Sequence, residues 1–282
     1  MILGAHQSIA GGVFNAPIFG KKAGCDTIQI FTKNNNQWKA KPFKEDEIKK
    51  FHEEKKKAGI EIVFGHNGYL INVASPDKVT YAKSLKSLIE EVERAEMLSL
   101  PWLVMHPGSH KGEGEDAGLK KIAASLDKVF SSTKGMNVKI ALENTAGQGS
   151  ALGFRFEQLR QIIDKCKYPE RLGICFDTCH GFAAGYDVSS KEGYEQTFDE
   201  LNRIIGFDRL LCFHLNDALK DLGSRIDRHT HIGKGKIGLD GFRMLMNDKR
   251  FENIPMVLET PKGKDLKEDK MNLRTLRKLI RI

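Results

Sequence analysis

Short, nearly continuous apolar runs alternate along this chain with longer stretches in which apolar residues recur at helical spacing. Such runs are typical of parallel β-strands that are buried on both faces. They predict eight strands: Ile2–His6, Thr27–Phe31, Glu61–His66, Trp102–His106, Lys139–Glu143, Leu172–Asp177, Leu210–Leu215 and Met256–Glu259.

The stretches between these runs are amphipathic, and the clearest is an apolar stripe from Leu85 to Ala95 with a charged opposite face. Further helices are predicted over residues 45–58, 116–133, 155–165, 191–205, 239–248 and 267–281. Eight strand–helix units in 282 residues average about 35 residues each, which is typical of a (β/α)8 TIM barrel. A doubly wound open sheet is the alternative, but AGGVFNA matches its glycine-rich phosphate loop poorly. We therefore predict a single α/β barrel domain spanning residues 1–282.

Six of the eight predicted strands end on, or reach, a residue that can bind a metal ion. In a barrel these strand ends meet at the C-terminal mouth, where enzymes of this fold carry their active sites. One such residue is usually structural, as a satisfied polar group or a helix cap, but six in successive units are hard to explain in that way. The six residues are His66, His106, Glu143, Asp177, His214 and Glu259.

Two short-range pairs extend this set. His180 follows Asp177 in the segment DTCH, and Asp227 and His229 lie in RIDRH. Nine ligands are too many for one tetrahedral zinc ion, and they suit two or three ions that share a bridging carboxylate. Imidazole and carboxylate without thiolate favour zinc or manganese in a catalytic site. Clustered divalent cations are suited to displacement at phosphorus.

The charge balance indicates a polyanionic partner, because 45 lysines and arginines face 37 acidic residues and give a net charge of +8. No apolar run approaches the roughly 18 to 20 residues of a membrane span, and no secretion signal opens the chain. The five cysteines are odd in number and lack CxxC spacing, which supports neither a disulfide framework nor a cysteine zinc site. We therefore expect a cytoplasmic protein with no membrane partner.

Three long segments, LENTAGQGS (142–150), DTCHGFAAGYD (177–187) and HLNDALKDLGSRIDRHTHIGKGKIG (214–238), resemble the signature blocks of the endonuclease IV family. These are the trinuclear-zinc abasic-site endonucleases of base-excision DNA repair. GAHQSIAGG, FTKNNNQW, NGYLIN and HPGSH match family segments as well, so the resemblance runs from about residue 2 to residue 260. It implies a (β/α)8 barrel that holds three zinc ions, with manganese as an alternative at one or more positions.

The resemblance also implies a role for each candidate ligand. The implied reaction is hydrolysis of the phosphodiester 5′ to an abasic site, which leaves a 3′-hydroxyl and a 5′-deoxyribose phosphate, together with trimming of blocked 3′ ends. Glu143 is the implied catalytic residue, because it bridges two ions and is placed to take a proton from the attacking water. By motif position, His66, His106 and Glu143 hold one ion, Glu143, Asp177, His214 and Glu259 hold the second, and His180, Asp227 and His229 hold the third.

Two loops are expected to contact the implied substrate, duplex DNA with abasic sites or blocked 3′ ends. Asn34 and Gln37 lie after the second predicted strand, and Tyr69 after the third. Tyr69 is the candidate for stacking where a nucleotide leaves the duplex, with packing at the barrel rim as the alternative. Family members often carry an aspartate where this chain has Asn67, and an arginine or other long side chain in place of Asn36. We expect a monomer, since the barrel must clamp a duplex.

Two other functions compete with this prediction. A sugar isomerase or epimerase of the same barrel type also binds metal at strand ends, but with one or two ions, and it leaves His180, Asp227 and His229 unexplained. A nucleic-acid-binding protein with structural zinc is disfavoured by the scattered ligands and the lack of cysteine ligands.

Overall fold

Eight parallel strands close into a barrel in a computed structural model that describes residues 1–281. Around the barrel the strand order is β1-β10-β7-β6-β5-β4-β3-β2, and two short antiparallel strands, β8 and β9, form a separate hairpin. The predicted single (β/α)8 barrel is thus confirmed. The strands are β1 (Ile2–Gln7), β2 (Thr27–Phe31), β3 (Ile62–His66), β4 (Trp102–Met105), β5 (Lys139–Glu143), β6 (Leu172–Asp177), β7 (Leu210–Leu215), β8 (Asp217–Ala218), β9 (His229–Thr230) and β10 (Pro255–Leu258).

The helices lie outside the sheet and cover it. None of the helices in the described part of the chain is long and apolar enough to cross a membrane. Their bounds are α1 (Asn15–Ala23), α2 (Glu45–Ala58), α3 (Lys78–Met97), α4 (Glu115–Ser132), α5 (Phe156–Lys165), α6 (Thr178–Ala184), α7 (Lys191–Ile204), α8 (Gly238–Met246) and α9 (Lys267–Leu279).

Burial explains why the strands are continuous apolar runs in the sequence. All six residues of β6 and all four of β10 are buried, because one face of each strand fills the barrel and the other meets the helices. Inside the barrel the largest side chains of a small apolar cluster are Phe64, Val104 and Val257, while the larger core lies between sheet and helices. This packed interior closes the barrel below its C-terminal mouth.

Four features of the sequence prediction need correction. Strands β4 and β10 end one residue before His106 and Glu259, so these two ligand candidates begin the loops after the strands. Helix α1 is absent from the prediction, since Pro17 and Gly20 interrupt its pattern. Helix α6 is absent as well, because its seven residues are almost all buried and show no amphipathic period.

Candidate metal centre

The nine predicted ligands gather at the C-terminal mouth in three neighbouring groups. Within each group the candidate ligand atoms all lie within 4.8 Å of one another. Glu143 belongs to two groups, which is the geometry that a bridging carboxylate requires. The groups are His66, His106 and Glu143; Glu143, Asp177, His214 and Glu259; and His180, Asp227 and His229.

Glu143 lies at the centre of the cluster and is fully buried. Its Oε2 is 3.2 Å from His66 Nε2 and 3.1 Å from His106 Nε2, and its Oε1 is 3.0 Å from His214 Nδ1. Burial alone would raise the pKa of Glu143, but the imidazoles of His214 and His106 lower it well below the usual value. The carboxylate is therefore held in its charged form, which is the form that binds a cation.

The third group comes from two segments that fold over the mouth. Asp177 ends β6 and caps α6, where its Oδ1 accepts a hydrogen bond from the His180 backbone N–H at 2.8 Å. Strand β9 pairs with β8 and carries His229, and Asp227 lies just before it. His180 Nε2 and His229 Nε2 lie 3.1 Å and 3.3 Å from the two oxygens of Asp227. Although burial opposes the shift, the His180 contact lowers the pKa of Asp227 to about 2.

The residues fit bound cations by a test that does not depend on the motifs. His229 Nε2 is buried and makes no well-aligned hydrogen bond within residues 1–281, although Asp227 Oδ1 and Asp177 Oδ2 lie 3.3 Å and 3.7 Å away. An unpartnered buried nitrogen among carboxylates is unfavourable in the protein alone. A cation between these atoms would satisfy all of them.

Three of the ligand histidines also place one ring nitrogen against a backbone carbonyl oxygen, and His180 Nδ1 lies 3.1 Å from Glu143 Oε1 as well. His66 Nδ1 contacts the Asn67 carbonyl oxygen at 2.7 Å, His180 Nδ1 contacts the Asn144 carbonyl at 3.0 Å, and His229 Nδ1 contacts the Glu259 carbonyl at 3.3 Å. Such contacts fix the tautomer and leave the other nitrogen free to bind metal. For His66 the backbone supplies this contact, so the asparagine at position 67 does not leave the ring unsupported.

Burial decreases across the cluster. Glu143, Asp177 and His214 are fully buried, whereas 42% of the His106 side chain and 41% of the Asp227 side chain are exposed. The site therefore opens on the side where these two residues lie.

A cavity of about 660 Å³ occupies this open side. Its walls include His66, His106, His180 and Asp227, and Tyr69 lies on its rim with 63% of its surface exposed. The Tyr69 ring meets Phe31 edge-on, with ring centroids 5.4 Å apart. An exposed aromatic ring beside a ligand cluster is placed to stack on a ligand that enters the cavity.

Asn34 and Gln37 lie on the exposed loop after β2 and do not line this cavity. Asn34 closes a turn there, because its carbonyl oxygen accepts from the Gln37 backbone N–H at 3.2 Å. Trp38, in the same loop, is half-buried against the core and anchors the loop. That Asn34 and Gln37 contact a ligand larger than the cavity therefore stays a prediction.

Helix α3 holds both mouth loops, although no motif in the sequence indicates this. The buried Glu91 carboxylate accepts from Gly68 N at 3.1 Å and from Thr32 Oγ1 at 3.2 Å, and Lys33 Nζ lies 3.7 Å away. Arg94 donates from Nε and Nη2 to the Thr32 carbonyl at 2.9 and 2.7 Å. One helix thus holds the loops after β2 and β3 together.

Asp217 is a second residue that the sequence analysis missed. Its buried carboxylate accepts hydrogen bonds from the backbone of Gly233 (2.9 Å), Gly235 (3.0 Å) and Ile237 (3.0 Å). It therefore orders the glycine-rich loop that follows β9 and supports the strand that carries His229. The only signal in the sequence is the run of glycines itself, which exposes backbone donors that need an acceptor.

A third missed residue is Cys179, whose Sγ lies near Asp177 and His229. Its thiol donates to the Arg228 carbonyl at 3.6 Å. Imidazoles and carboxylates complete the three groups without it.

Comparison with known proteins places these observations in a family. A family model described as "Xylose isomerase-like TIM barrel" matches residues 19–280. A "Probable endonuclease 4" of Chloroflexus aurantiacus is 52% identical over 98% of this chain and 97% of its own length. One from Geobacter sulfurreducens is 50% identical over 99% of this chain and 94% of its own.

Comparison with solved structures indicates the same family as these relatives do. The crystal structure of endonuclease IV from Thermus thermophilus matches with a TM-score of 0.87 and 33% identity, covering 99% of this chain and 98% of that one. A D-tagatose 3-epimerase-like protein matches with a TM-score of 0.74, covering 99% of this chain and 98% of that one. At 19% identity, this second likeness shows a shared fold alone.

Proposed function

Because this chain belongs to the endonuclease IV family, we propose that it is a metal-dependent DNA-repair endonuclease that hydrolyses the phosphodiester 5′ to abasic sites. The products are a 3′-hydroxyl and a 5′-deoxyribose phosphate, and the same site trims blocked 3′ ends. The observation that carries the proposal is the convergence of three ligand groups on one mouth, with Glu143 shared between two of them. The alternative, a sugar epimerase with one or two ions, would leave the third group unexplained.

We propose that the three groups hold three zinc ions, with manganese as an alternative at one or more positions. When bound, such ions lower the pKa of water and stabilise charge on the attacking and leaving oxygens of a phosphodiester. Imidazole and carboxylate ligands suit both metals. The substrate is double-stranded DNA, and we propose that a monomer binds it.

The chain's own residues bind and orient the substrate and accept the proton. We propose Glu143, which is buried and shared by two of the ligand groups, as the acceptor of the proton from the water that attacks phosphorus. His106 and Asp227 stand on the open side, where the scissile phosphate would enter. Tyr69, Asn34 and Gln37 are the proposed DNA contacts.

A cleavage assay that compares two matched DNA duplexes tests this function. We expect incision of an oligonucleotide duplex with one abasic site and none of the matched duplex with an intact nucleotide. The 5′ fragment should end in a 3′-hydroxyl that a polymerase extends. Interconversion of a ketohexose without any incision would instead support an epimerase.

Replacing Tyr69 with alanine is expected to weaken binding to abasic duplex about 5- to 150-fold, because one base–aromatic stack is worth roughly 1–3 kcal/mol. The metal content should be unchanged, since Tyr69 is not among the candidate ligands. Binding is measured by fluorescence anisotropy and metal content by elemental analysis.

The matched control for this prediction is Tyr69→Phe, which keeps the ring and its edge contact with Phe31. This variant should bind DNA nearly as the unmodified protein does. If Tyr69→Ala lost metal and DNA affinity in parallel, its role would be to pack against His66, and the proposed stacking would be wrong.

A further inference from the structure

Neither β1 nor β2, nor the residue directly after either strand, contributes any of the nine candidate ligands. These two strands lie side by side between β10 and β3, so they complete the ring of strands around the mouth. His6 on β1 and Gln29 on β2 are register partners, and both lie against Glu259 of the cluster. Gln29 is fully buried.

Both the oxygen and the nitrogen of the Gln29 amide form hydrogen bonds with residues of this cluster. Its Oε1 accepts from His214 Nε2 at 2.8 Å, and its Nε2 donates to Glu259 Oε1 at 2.6 Å and to His6 Nδ1 at 2.9 Å. These contacts are mutually consistent, because a carboxylate can only accept and the amide oxygen can only accept. The network therefore fixes which way the amide points.

The consequence for His214 is specific. With Nε2–H donated to Gln29, Nδ1 is the ring nitrogen that carries the lone pair in the neutral imidazole, which is the form that binds a metal ion. That atom faces Glu143 Oε1 at 3.0 Å and Glu259 Oε2 at 3.3 Å. The other three ligand histidines with this kind of support receive it from backbone carbonyls, which no substitution removes. His214 receives it from a side chain.

We propose that Gln29, held by His6, is a positioning residue that presents His214 Nδ1 and Glu259 to the metal ion of the group Glu143, Asp177, His214 and Glu259. This inference rests on the proposed metal centre. In this role, β1 and β2 orient two ligands, His214 and Glu259, that other parts of the barrel supply. Loss of a contact of this kind typically lowers metal affinity or activity by about 10- to 100-fold.

The test is Gln29→Met, which preserves size and removes both the acceptor and the donor. Zinc affinity is measured without DNA, by competition with a chromophoric chelator. We expect one of the bound ions to be held about 10- to 100-fold more weakly, with the affinities of the others near those of the unmodified protein. Excess zinc should restore incision, which it would not do for a generally misfolded barrel.

The matched control is Gln7→Met, which alters another buried glutamine at the same end of the barrel. Gln7 donates to Asp269 and contacts none of the nine candidate ligands. The Gln7→Met variant should have lower thermal stability and unchanged metal affinity. If Gln29→Met does not fold, Gln29→Asn withdraws the same amide by one methylene and carries the same expectation.

A folded Gln29 variant with unchanged affinity for every ion would overturn the positioning role. Failure of the unmodified protein to incise abasic DNA would contradict the proposed function and leave the zinc measurements readable, so the two failures are distinguishable.

Discussion

Replacing Glu143 with glutamine is expected to reduce abasic-site incision by at least about 1,000-fold, the upper end of the cost of losing one preorganised electrostatic group. The substitution keeps the side-chain shape but removes the charge that faces His66, His106 and His214. It also removes the anionic ligand that two metal groups share and the proposed proton acceptor. Single-turnover incision with excess enzyme measures the loss independently of product release.

Folding should survive this substitution, because the amide has the volume of the carboxyl group and no apolar contact is lost. Circular dichroism and thermal unfolding check this. The matched control is Glu91→Gln, which neutralises another fully buried carboxylate that is outside the ligand groups. We expect it to raise the concentration of DNA needed for half-maximal incision more than it lowers the maximal rate. Incision by Glu143→Gln at the rate of the unmodified protein would contradict the assignment of this residue.

Removal of metal is expected to abolish incision, and zinc add-back to restore it. The folded chain should also become less stable, since an ion present at 1,000 times its dissociation constant contributes about 4 kcal/mol. For a protein of this size, that corresponds to a fall in melting temperature of about 7 °C for one such site. Chelator titration monitored by calorimetry and by incision measures both effects.

Elemental analysis of the purified protein should give close to three ions per chain. One or two ions would favour the epimerase type of site, and tightly held metal without incision would favour a structural role. An excess of magnesium in place of zinc is the control for ionic strength, because it should not restore activity at ligands so rich in imidazole.

The barrel and the ligand cluster could be predicted from sequence because each depends on local signals. Continuous apolar runs specify buried parallel strands, and polar residues such as Asp177 at their ends interrupt an otherwise apolar pattern. Since parallel strands all end at the same mouth, spacing alone predicts that residues far apart in the chain, such as His66 and His214, lie together. Apolar runs do not specify the last residue of a strand, and His106 and Glu259 accordingly lie just beyond β4 and β10.

The supporting residues could not be predicted in this way. Gln29 sits inside an apolar strand and has no periodicity of its own, and its function depends on partners 185 and 230 positions away. Asp217 is one more acid beside a ligand histidine until the fold brings the glycine-rich loop to it. Glu91 and Arg94 resemble the solvent-exposed charges of an amphipathic helix, yet the loops cover them. Long-range contacts decide each of these cases.

The attachment of both mouth loops to α3 bears on the speed and cost of association. A loop that is free in solution loses about 1–2 kcal/mol of backbone entropy for each residue that a partner orders. Here Glu91, Lys33 and Arg94 order the loops when the barrel folds. Much of the entropic penalty is thus borne by folding, and encounter with DNA can proceed close to rigid docking.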